Sequence, residues 1–254
     1  MAAAAAFTRA LTADELSSDA LAPETLAFAL GALDEHGVVV LRKLIAPADA
    51  VAERARFEAA WATVAAAMAP LAPMWEGHLQ DVVPRFAEVA PRGPRRYSIS
   101  TFRSAAMRQN ALVVQLMGAS PMAQGGASGC WSEETVVSLP GATEQRVHVD
   151  AGHLYDPKQH GVLPAYHYSV FISLVDQDST TGNTAFALGT HRSRGGGHES
   201  QPHWDMPGRD EFVDAYLKAG DSVIFDSRLY HFGRANSGTE MRPIYGLMYS
   251  PAGE

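Results

Sequence analysis

The chain has 254 residues, of which 46% are hydrophobic, so it is long enough to bury one large core. A formal net charge of -8 provides no basic field for phosphodiester chains or anionic membranes, so neither nucleic acid nor membrane is an expected partner. Cys130 is the only cysteine, which excludes an intrachain disulfide and a cysteine-rich zinc module. We expect one domain spanning residues 1–254 and a cytoplasmic protein, with a transit peptide as the alternative in a eukaryotic host.

The first part of the chain, to about residue 90, is predicted to be mainly helical. The sequence "PETLAFALGALDEH" from Pro23 to His36 has helical spacing of its leucines, begins with proline and is followed by Gly37 as the stop. The β-branched run "GVVVLRKLI" then predicts a strand. An alanine-rich segment from Pro47 to about Met68 predicts a second, long helix.

The second part, from about residue 95 to residue 250, is predicted to be β-rich. Short strand-like segments alternate with turn residues. They are "RRYSISTF", "EETVVSL", "QRVHVDA", "AYHYSVFISLV", "TAFAL", "DSVIFDS" and "PIYGLMYS". This pattern indicates a sandwich or barrel, and the long glycine-rich loop from His191 to Glu211 indicates a lid or an irregular excursion.

A candidate metal site lies in "QRVHVDA". On a strand, side chains two apart share a face, so His148 and Asp150 would project together while Val147 and Val149 pack on the other side. A non-haem iron site of the two-histidine, one-carboxylate type needs a second histidine from a distant segment, and His231 is our candidate. The alternative is that the His-x-Asp triplet arises by chance in a chain with 10 histidines.

The chain contains a second His-x-Asp triplet, "HWD" from His203 to Asp205. Pro202 and Pro207 flank it in a polar loop, where a central strand could not run, so we do not expect a metal there. Arg242 begins a later strand-like segment and could grip a carboxylate through two parallel hydrogen bonds, as the far carboxylate of 2-oxoglutarate would require. Taken alone, Arg242 is equally compatible with a surface arginine.

Three motifs in a fixed order indicate one particular protein family. "QRVHVD", "TGNTAFALGTH" and "AGDSVIFDSRLYHFGRANSGTEMR" together resemble the phytanoyl-CoA dioxygenase-like (PhyH) family of Fe(II)/2-oxoglutarate oxygenases, and "LDEHGVVVLRKLIAPADAV" resembles that family's opening helix, strand and helix. The resemblance implies a mainly β protein with N-terminal helices around a double-stranded β-helix core of the jelly-roll, cupin-like type. It departs from the family where "LGTH" replaces a Pro-Gly-Ser-His turn and where Arg146 adds a charge beside the metal motif.

Carried over by position, the resemblance implies roles for single residues. His148, Asp150 and His231 would bind iron, and Arg242 would hold the distal carboxylate of 2-oxoglutarate. Thr184 and Gln145 would also contact this co-substrate, although the register of Gln145 against Arg146 stays open. The cofactors implied are Fe(II), 2-oxoglutarate and O2.

The expected activity is oxidation of a C–H bond of a small-molecule metabolite, by hydroxylation, desaturation or cyclisation, with release of succinate and CO2. Arg96 and Ser98 would share one face of their strand and could bind an anionic substrate, unless they belong to a solvated sheet edge. Trp131 and Tyr166 are candidates for the pocket wall, and ordinary core packing is the alternative for each aromatic residue.

Two other functions are weighed against this one. A related halogenase would carry a small residue in place of Asp150, so the aspartate favours oxygenation. A metal-binding jelly-roll module without turnover is the alternative outside enzymes, and the presence of all three metal ligands and Arg242 argues against it. The sequence carries no signal for the oligomeric state.

Overall fold

The computed structural model describes residues 2–69, 89–123, 128–155, 160–192 and 206–251 of the chain. Of the predicted glycine-rich loop, residues 193–205 lie outside these ranges, and with them the second His-x-Asp triplet. Within the described ranges, no helix is both long and apolar enough to cross a membrane.

The two predicted helices are confirmed. The described helices are α1 (Ala2–Ala5), α2 (Ala13–Ser18), α3 (Pro23–His36), α4 (Pro47–Met68), α5 (Ala105–Arg108) and α6 (Ala111–Ala119). Helix α3 ends where Gly37 adopts a φ of 78° and donates its N–H to the Leu33 carbonyl at 3.1 Å. A Cβ at Gly37 would also lie 2.5 Å from His191 Nδ1, so both the backbone angle and the packing require glycine at this helix end.

The strands form two sheets. They are β1 (Thr8–Ala10), β2 (Val38–Arg42), β3 (Val89–Gly93), β4 (Arg96–Ile99), β5 (Ser128–Ser138), β6 (Tyr168–Ser173), β7 (Thr184–Phe186), β8 (Val213–Ala215), β9 (Ser222–Asp226), β10 (His231–Gly233) and β11 (Arg242–Pro251). The large sheet has the order β1-β2-β9-β6-β11-β5-β4-β3, and the small sheet has the order β10-β7-β8. Strands β1 and β2 pair in parallel, and the other described ladders are antiparallel.

The N-terminal part is joined to the β-rich part through the large sheet, since β2 pairs with β9. Helices cover one face of this sheet. Phe57 of α4 meets Phe102 edge to face at 5.5 Å, and Phe102 meets Tyr245 of β11 at 6.0 Å. Trp61 of the same helix lies 5.8 Å from Tyr97 of β4. These aromatic pairs belong to a continuous buried cluster that accounts for most of the core.

The other face of the large sheet faces the small sheet. Phe225 of β9 contacts Phe171 of β6 and Phe186 of β7, each with ring centroids 5.1 Å apart, so these rings bridge the two sheets. The mainly β, cupin-like fold with N-terminal helices is thereby confirmed. The space between the sheets is where side chains from both can meet.

Most predicted strands are present, and the differences are local. "QRVHVDA" is not a strand, because only His148 forms a β-bridge there, to His231. The segment is held instead by hydrogen bonds from Gln145 N to the Gly233 carbonyl and from Asp150 N to the Ser227 carbonyl. The sequence did not predict the short strands β1, β3, β8 and β10 or the helices α1, α2, α5 and α6.

Candidate metal centre

The structure brings His148, Asp150 and His231 together between the sheets. His148 and His231 exchange two backbone hydrogen bonds of 3.0 and 2.9 Å, which places their rings 4.4 Å apart. Asp150 Oδ1 lies 3.5 Å from His231 Nε2 and 3.9 Å from His148 Nε2. Val147 and Val149 pack away from the site, against a separate apolar cluster around Phe232, as the alternation of side chains predicts.

Both histidine rings are oriented by a contact from Nδ1 to a backbone carbonyl. His148 Nδ1 lies 2.8 Å from the Arg146 carbonyl, and His231 Nδ1 lies 2.9 Å from the Leu229 carbonyl. A carbonyl only accepts, so each Nδ1 carries a proton and donates it. In the neutral ring the lone pair is then on Nε2, the atom that faces Asp150. Such a backbone contact is the usual way in which a metal-binding histidine is oriented.

The charges of the three groups are coupled. Burial and the nearby His231 together lower the pKa of His148 to about 4, so this ring is neutral at physiological pH. Burial alone would raise the pKa of Asp150, but His231, His148 and the hydrogen bond from Ser169 together lower it below its usual range. Burial alone would lower the pKa of His231, but the Asp150 carboxylate outweighs it and raises the pKa. Binding of a divalent ion would therefore compete with protonation of His231.

The donor set fits a first-row divalent metal. Two donors bound side by side at about 2.1 Å lie about 3 Å apart, so the two separations between Asp150 and the histidines need to shrink by less than about 1 Å, and the three donor atoms already lie within 4.8 Å of one another. The side chains are 37%, 22% and 4% exposed for His148, Asp150 and His231, so the open positions of an octahedral ion would face the cavity and the protein surface. Two histidines and one carboxylate on one face are the donor set typical of non-haem Fe(II) oxygenases.

A cavity of about 80 Å³ adjoins the three ligands. It is lined by Arg96, Gln145, Phe171, Thr184, Arg242 and Met248, among others. The structure thus brings the three residues predicted to bind the co-substrate, Arg242, Thr184 and Gln145, into the lining of one cavity beside the metal ligands. Of the two neighbouring residues, Gln145 lines the cavity and Arg146 is exposed.

Two buried arginines lie on one level of the large sheet. Ser138 of β5 pairs with Arg96 on one side and with Arg242 on the other, so all three side chains project from the same face. Arg242 donates from Nη2 to Ser138 Oγ at 3.0 Å, and its Nε and Nη1 have no hydrogen-bond partner. Burial lowers the pKa of Arg242 to about 9, with a further contribution from the positive charge of Arg96.

Arg96 is held by neutral groups. Its guanidinium donates to Gln145 Oε1 at 2.9 Å and to the carbonyls of Thr143 and Arg234 at 3.1 and 2.8 Å. Burial lowers its pKa to about 10. Each arginine is 1% exposed. Among the described residues neither arginine forms a direct ion pair, and the nearest carboxylate effect is the longer-range attraction of Glu144 on Arg96.

The other three residues predicted to contact substrate lie outside the cavity lining of the described chain. Ser98 is buried and donates to Glu134. Trp131 is 60% exposed and donates from Nε1 to His167 at 3.1 Å. Tyr166 donates its hydroxyl to the Gly152 carbonyl at 2.5 Å.

Several lining residues were not predicted. Glu134 and Val136 of β5 and Ile244 and Met248 of β11 all line the cavity. Every second residue of β11, counted from Arg242, points to the same side of the sheet, and so do the residues of β5 that pair with them. The alternation of side chains would therefore have identified these lining residues once the pairing of β11 with β5 was known.

Comparison with solved structures supports the fold. Structures of similar fold include the epimerase SnoN with Fe3+, alpha ketoglutarate and nogalamycin RO, at 17% identity and a TM-score of 0.62, covering 91% of this chain and 85% of that one. They also include the carbocyclase SnoK from nogalamycin biosynthesis, at 18% identity and a TM-score of 0.59 over 91% and 85% of the two chains. HygX from Streptomyces hygroscopicus, with nickel and 2-oxoglutarate bound, is 15% identical with a TM-score of 0.58 over 92% and 88%.

The sequence profile of one family matches most of the chain. The profile described as phytanoyl-CoA dioxygenase (PhyH) covers residues 33–244, which include all three candidate metal ligands and Arg242. The predicted enzyme class, a 2-oxoglutarate-dependent dioxygenase, is therefore confirmed at the level of the family. This chain belongs to the phytanoyl-CoA dioxygenase (PhyH) family.

Proposed function

We propose that this protein is an Fe(II)- and 2-oxoglutarate-dependent oxygenase that oxidises a C–H bond of a small-molecule metabolite. The observation that carries the proposal is Arg242, a buried arginine with two unpartnered nitrogens in the wall of the cavity that the metal ligands adjoin. A buried guanidinium without a counter-charge is costly, and a carboxylate bound there would provide the missing partner. A metal-binding module without a co-substrate would have no use for this charge.

In this proposal, His148, Asp150 and His231 bind iron, and Arg242 holds the distal carboxylate of 2-oxoglutarate. Iron bound there would supply the oxidative decarboxylation of the co-substrate to succinate and CO2 and the oxidation of the C–H bond by O2. The protein orients the reactants and excludes water from the apolar part of the cavity, where Phe171 and Met248 lie.

Arg96 is better assigned to the co-substrate than to the substrate. It shares a level with Arg242, and it orders Gln145, whose Oε1 also accepts from Gly233 N at 3.0 Å. Two buried positive charges match the two carboxylates of 2-oxoglutarate. Thr184 lies opposite on β7, in register with Gly233, and we propose that its hydroxyl adds a contact to the same ligand.

The substrate would enter the cavity from the side away from Arg96 and Arg242. Similar folds have been solved with nogalamycin RO and with hygromycin B, which supports a small-molecule metabolite here too. The exposed indole of Trp131 is our remaining candidate for a substrate contact among the predicted residues. Because Asp150 is close enough to both histidines to complete the ligand set, oxygenation is favoured over halogenation, which needs that position for a halide.

We also propose that the chain is one cytoplasmic domain. The pairing of β2 with β9 supports the first part, since the N-terminal strand lies inside the same sheet as the core strands. A single cooperative unfolding transition that includes the N-terminal helices is expected, and two separate transitions would contradict it.

The central test is spectroscopic. Anaerobic addition of Fe(II) and 2-oxoglutarate to the full chain should give the weak visible charge-transfer band of a chelated keto acid, because the three ligands leave adjacent positions free. Succinate should form only when O2 is admitted. Zinc should compete for the site without supporting turnover, since it does not change oxidation state. Absence of the band at saturating reagents would refute the proposed function.

A further inference from the structure

The carboxylate of Asp150 is the end of a hydrogen-bond chain that the proposed chemistry does not use. Asp150 Oδ1 faces the two histidines, and Oδ2 accepts from Ser169 Oγ at 2.8 Å. Ser169 Oγ lies 3.2 Å from Ser227 Oγ, and Ser227 Oγ lies 2.5 Å from His167 Nδ1. His167 Nε2 accepts from Trp131 Nε1 at 3.1 Å. Ser169 and Ser227 are fully buried, whereas Trp131 is 60% exposed.

Trp131 determines the direction in which protons are donated along this hydrogen-bond chain. An indole N–H can only donate, so His167 Nε2 must be an acceptor and the ring must be neutral. A neutral imidazole carries its proton on the other nitrogen, so Nδ1 donates to Ser227 Oγ. Ser227 is then free to donate to Ser169, and Ser169 donates to Asp150. Burial also lowers the pKa of His167, which agrees with a neutral ring.

The position of Trp131 depends on an irregularity in β5. Met248 of β11 pairs with Ser132, and Tyr249 pairs with Cys130, so Trp131 is an extra residue without a partner in the ladder. Such a β-bulge re-aims a side chain and is common beside active sites. Here the indole lies against His167, with ring centroids 5.6 Å apart.

Ser227 anchors the same ligand through its backbone. Its carbonyl accepts from Asp150 N at 2.8 Å and from Ala151 N at 3.0 Å, and its N–H donates to the His167 carbonyl at 3.1 Å. The segment that carries Asp150 is not part of a regular strand, so these contacts fix its backbone where a ladder would otherwise do so.

We propose that Trp131, His167, Ser227 and Ser169 form a directional hydrogen-bond chain that positions the Asp150 carboxylate for the metal. This inference rests on the proposed function in one respect, that Asp150 is a metal ligand. Ser169 keeps Oδ2 occupied and charge-stabilised, so Oδ1 is presented to the ion in one orientation. Contacts of this kind to a metal ligand commonly change metal affinity by about 10- to 100-fold when they are removed.

The first test measures metal affinity, with Co(II) alone as the probe, followed through its visible bands under anaerobic conditions. Ser169→Ala should weaken Co(II) binding by about 10- to 100-fold. Ser173→Ala is the matched control, since Ser173 lies on the same strand and is equally buried, but its Oγ donates to the Val175 carbonyl and accepts from Gln177 Nε2, away from the metal ligands. The control should bind Co(II) as the wild type does. Equal affinity in Ser169→Ala and wild type would overturn the proposal.

The second test concerns His167 and distinguishes positioning from general packing. His167→Asn places an amide N–H near the position of Nδ1 and should retain Co(II) affinity, whereas His167→Leu, which offers no donor, should lose about tenfold. If both variants bound Co(II) equally, His167 would have only a packing role and the chain would not extend beyond the serines.

The third test measures which nitrogen of His167 carries the proton, and therefore the direction of hydrogen-bond donation. It does not require a metal. In the full-length wild type, nitrogen chemical shifts of the histidine rings should show His167 with its proton on Nδ1. Trp131→Phe keeps the ring and removes the donor, so the Nε2-protonated form should gain population. A wild-type His167 protonated on Nε2, or a tautomer unchanged in Trp131→Phe, would overturn the assigned direction.

These tests separate the two proposals. A wild-type protein that binds neither Co(II) nor Fe(II) with 2-oxoglutarate would refute the proposed function and leave the tautomer measurement as a test of the chain itself. A wild-type protein that gives the charge-transfer band, with Ser169→Ala indistinguishable from it, would leave the oxygenase intact and refute only the positioning chain.

Discussion

Replacing Arg242 with methionine should have opposite effects on stability and on co-substrate binding. The guanidinium is 1% exposed, its Nε and Nη1 have no partner, and its pKa is lowered to about 9 by burial and by Arg96. Arg242→Met therefore removes a poorly compensated charge while keeping most of the side-chain volume. A gain of about 1 kcal/mol would raise the melting temperature of a chain of this size by about 2–4 °C.

The same change should reduce 2-oxoglutarate affinity severely. Loss of a largely desolvated charge pair costs about 2–5 kcal/mol, which is about thirtyfold to several thousandfold in the dissociation constant. Pyruvate has no distal carboxylate, so its affinity should be similar in the wild type and in Arg242→Met. Arg242→Lys keeps the charge but loses the paired geometry, so its affinity should lie between those of wild type and Arg242→Met.

The assay is calorimetric titration of 2-oxoglutarate into zinc-loaded protein, with zinc content and the melting temperature of the metal-free protein measured in each variant. Arg228→Met is the control, because Arg228 is equally buried but is paired with Asp226 at 2.6 Å. That variant leaves a buried carboxylate alone and should be destabilised by about 3–5 kcal/mol, with 2-oxoglutarate affinity unchanged. Unchanged affinity in Arg242→Met would refute the carboxylate clamp and make Arg96 the next candidate.

Three further predictions follow from the site and from the N-terminal region. Asp150→Ala should abolish succinate formation and reduce the bound metal without changing the circular dichroism spectrum; wild-type succinate production would move the metal site elsewhere. Gly233→Ala should raise the apparent KM for 2-oxoglutarate by about tenfold or more, because the new Cβ would overlap Arg96 Nη1 and lie 2.5 Å from Gln145 Oε1. Gly118→Ala is the control, because a Cβ at Gly118 meets open space, and it should leave the KM unchanged. Hydrogen bonds from Thr12 and Ala22 outweigh burial and lower the pKa of Glu15 to about 2, so its stabilising contribution is present above about pH 4.5 and is lost as the pH falls toward 2. The shift corresponds to about 3 kcal/mol, and Glu15→Gln should flatten the dependence of the unfolding free energy on pH in that window, as measured by denaturant titration; an unchanged slope would contradict it.

Local patterns in the sequence were sufficient for much of the framework. The bounds of α3 and α4 follow from proline at the start, helical spacing and Gly37, all of which act within a few residues. The alternation of side chains was also enough to place Val147 and Val149 opposite His148. The family could be identified because its motifs are short, ordered and carried by single segments.

Tertiary structure decided the features that depend on contacts between distant segments. The His-x-Asp segment looks like a strand, but its backbone partners come from Gly233, His231 and Ser227, so no ladder forms. The position of Arg96 beside Arg242 depends on the carbonyls of Thr143 and Arg234, which accept hydrogen bonds from its guanidinium. No local pattern distinguishes a serine that bonds to a metal ligand from any other buried serine.

The β-bulge at Trp131 is the clearest example of a feature that the sequence alone does not predict. Whether one residue of β5 is left out of the ladder depends on how β11 lies beside it, and that register involves residues more than a hundred positions away. From the sequence, Trp131 is one more aromatic residue on a strand. Side-chain direction on a paired strand is a property of the pair, so the sequence determined which residues were available and the packing of the two sheets determined which of them meet at Asp150.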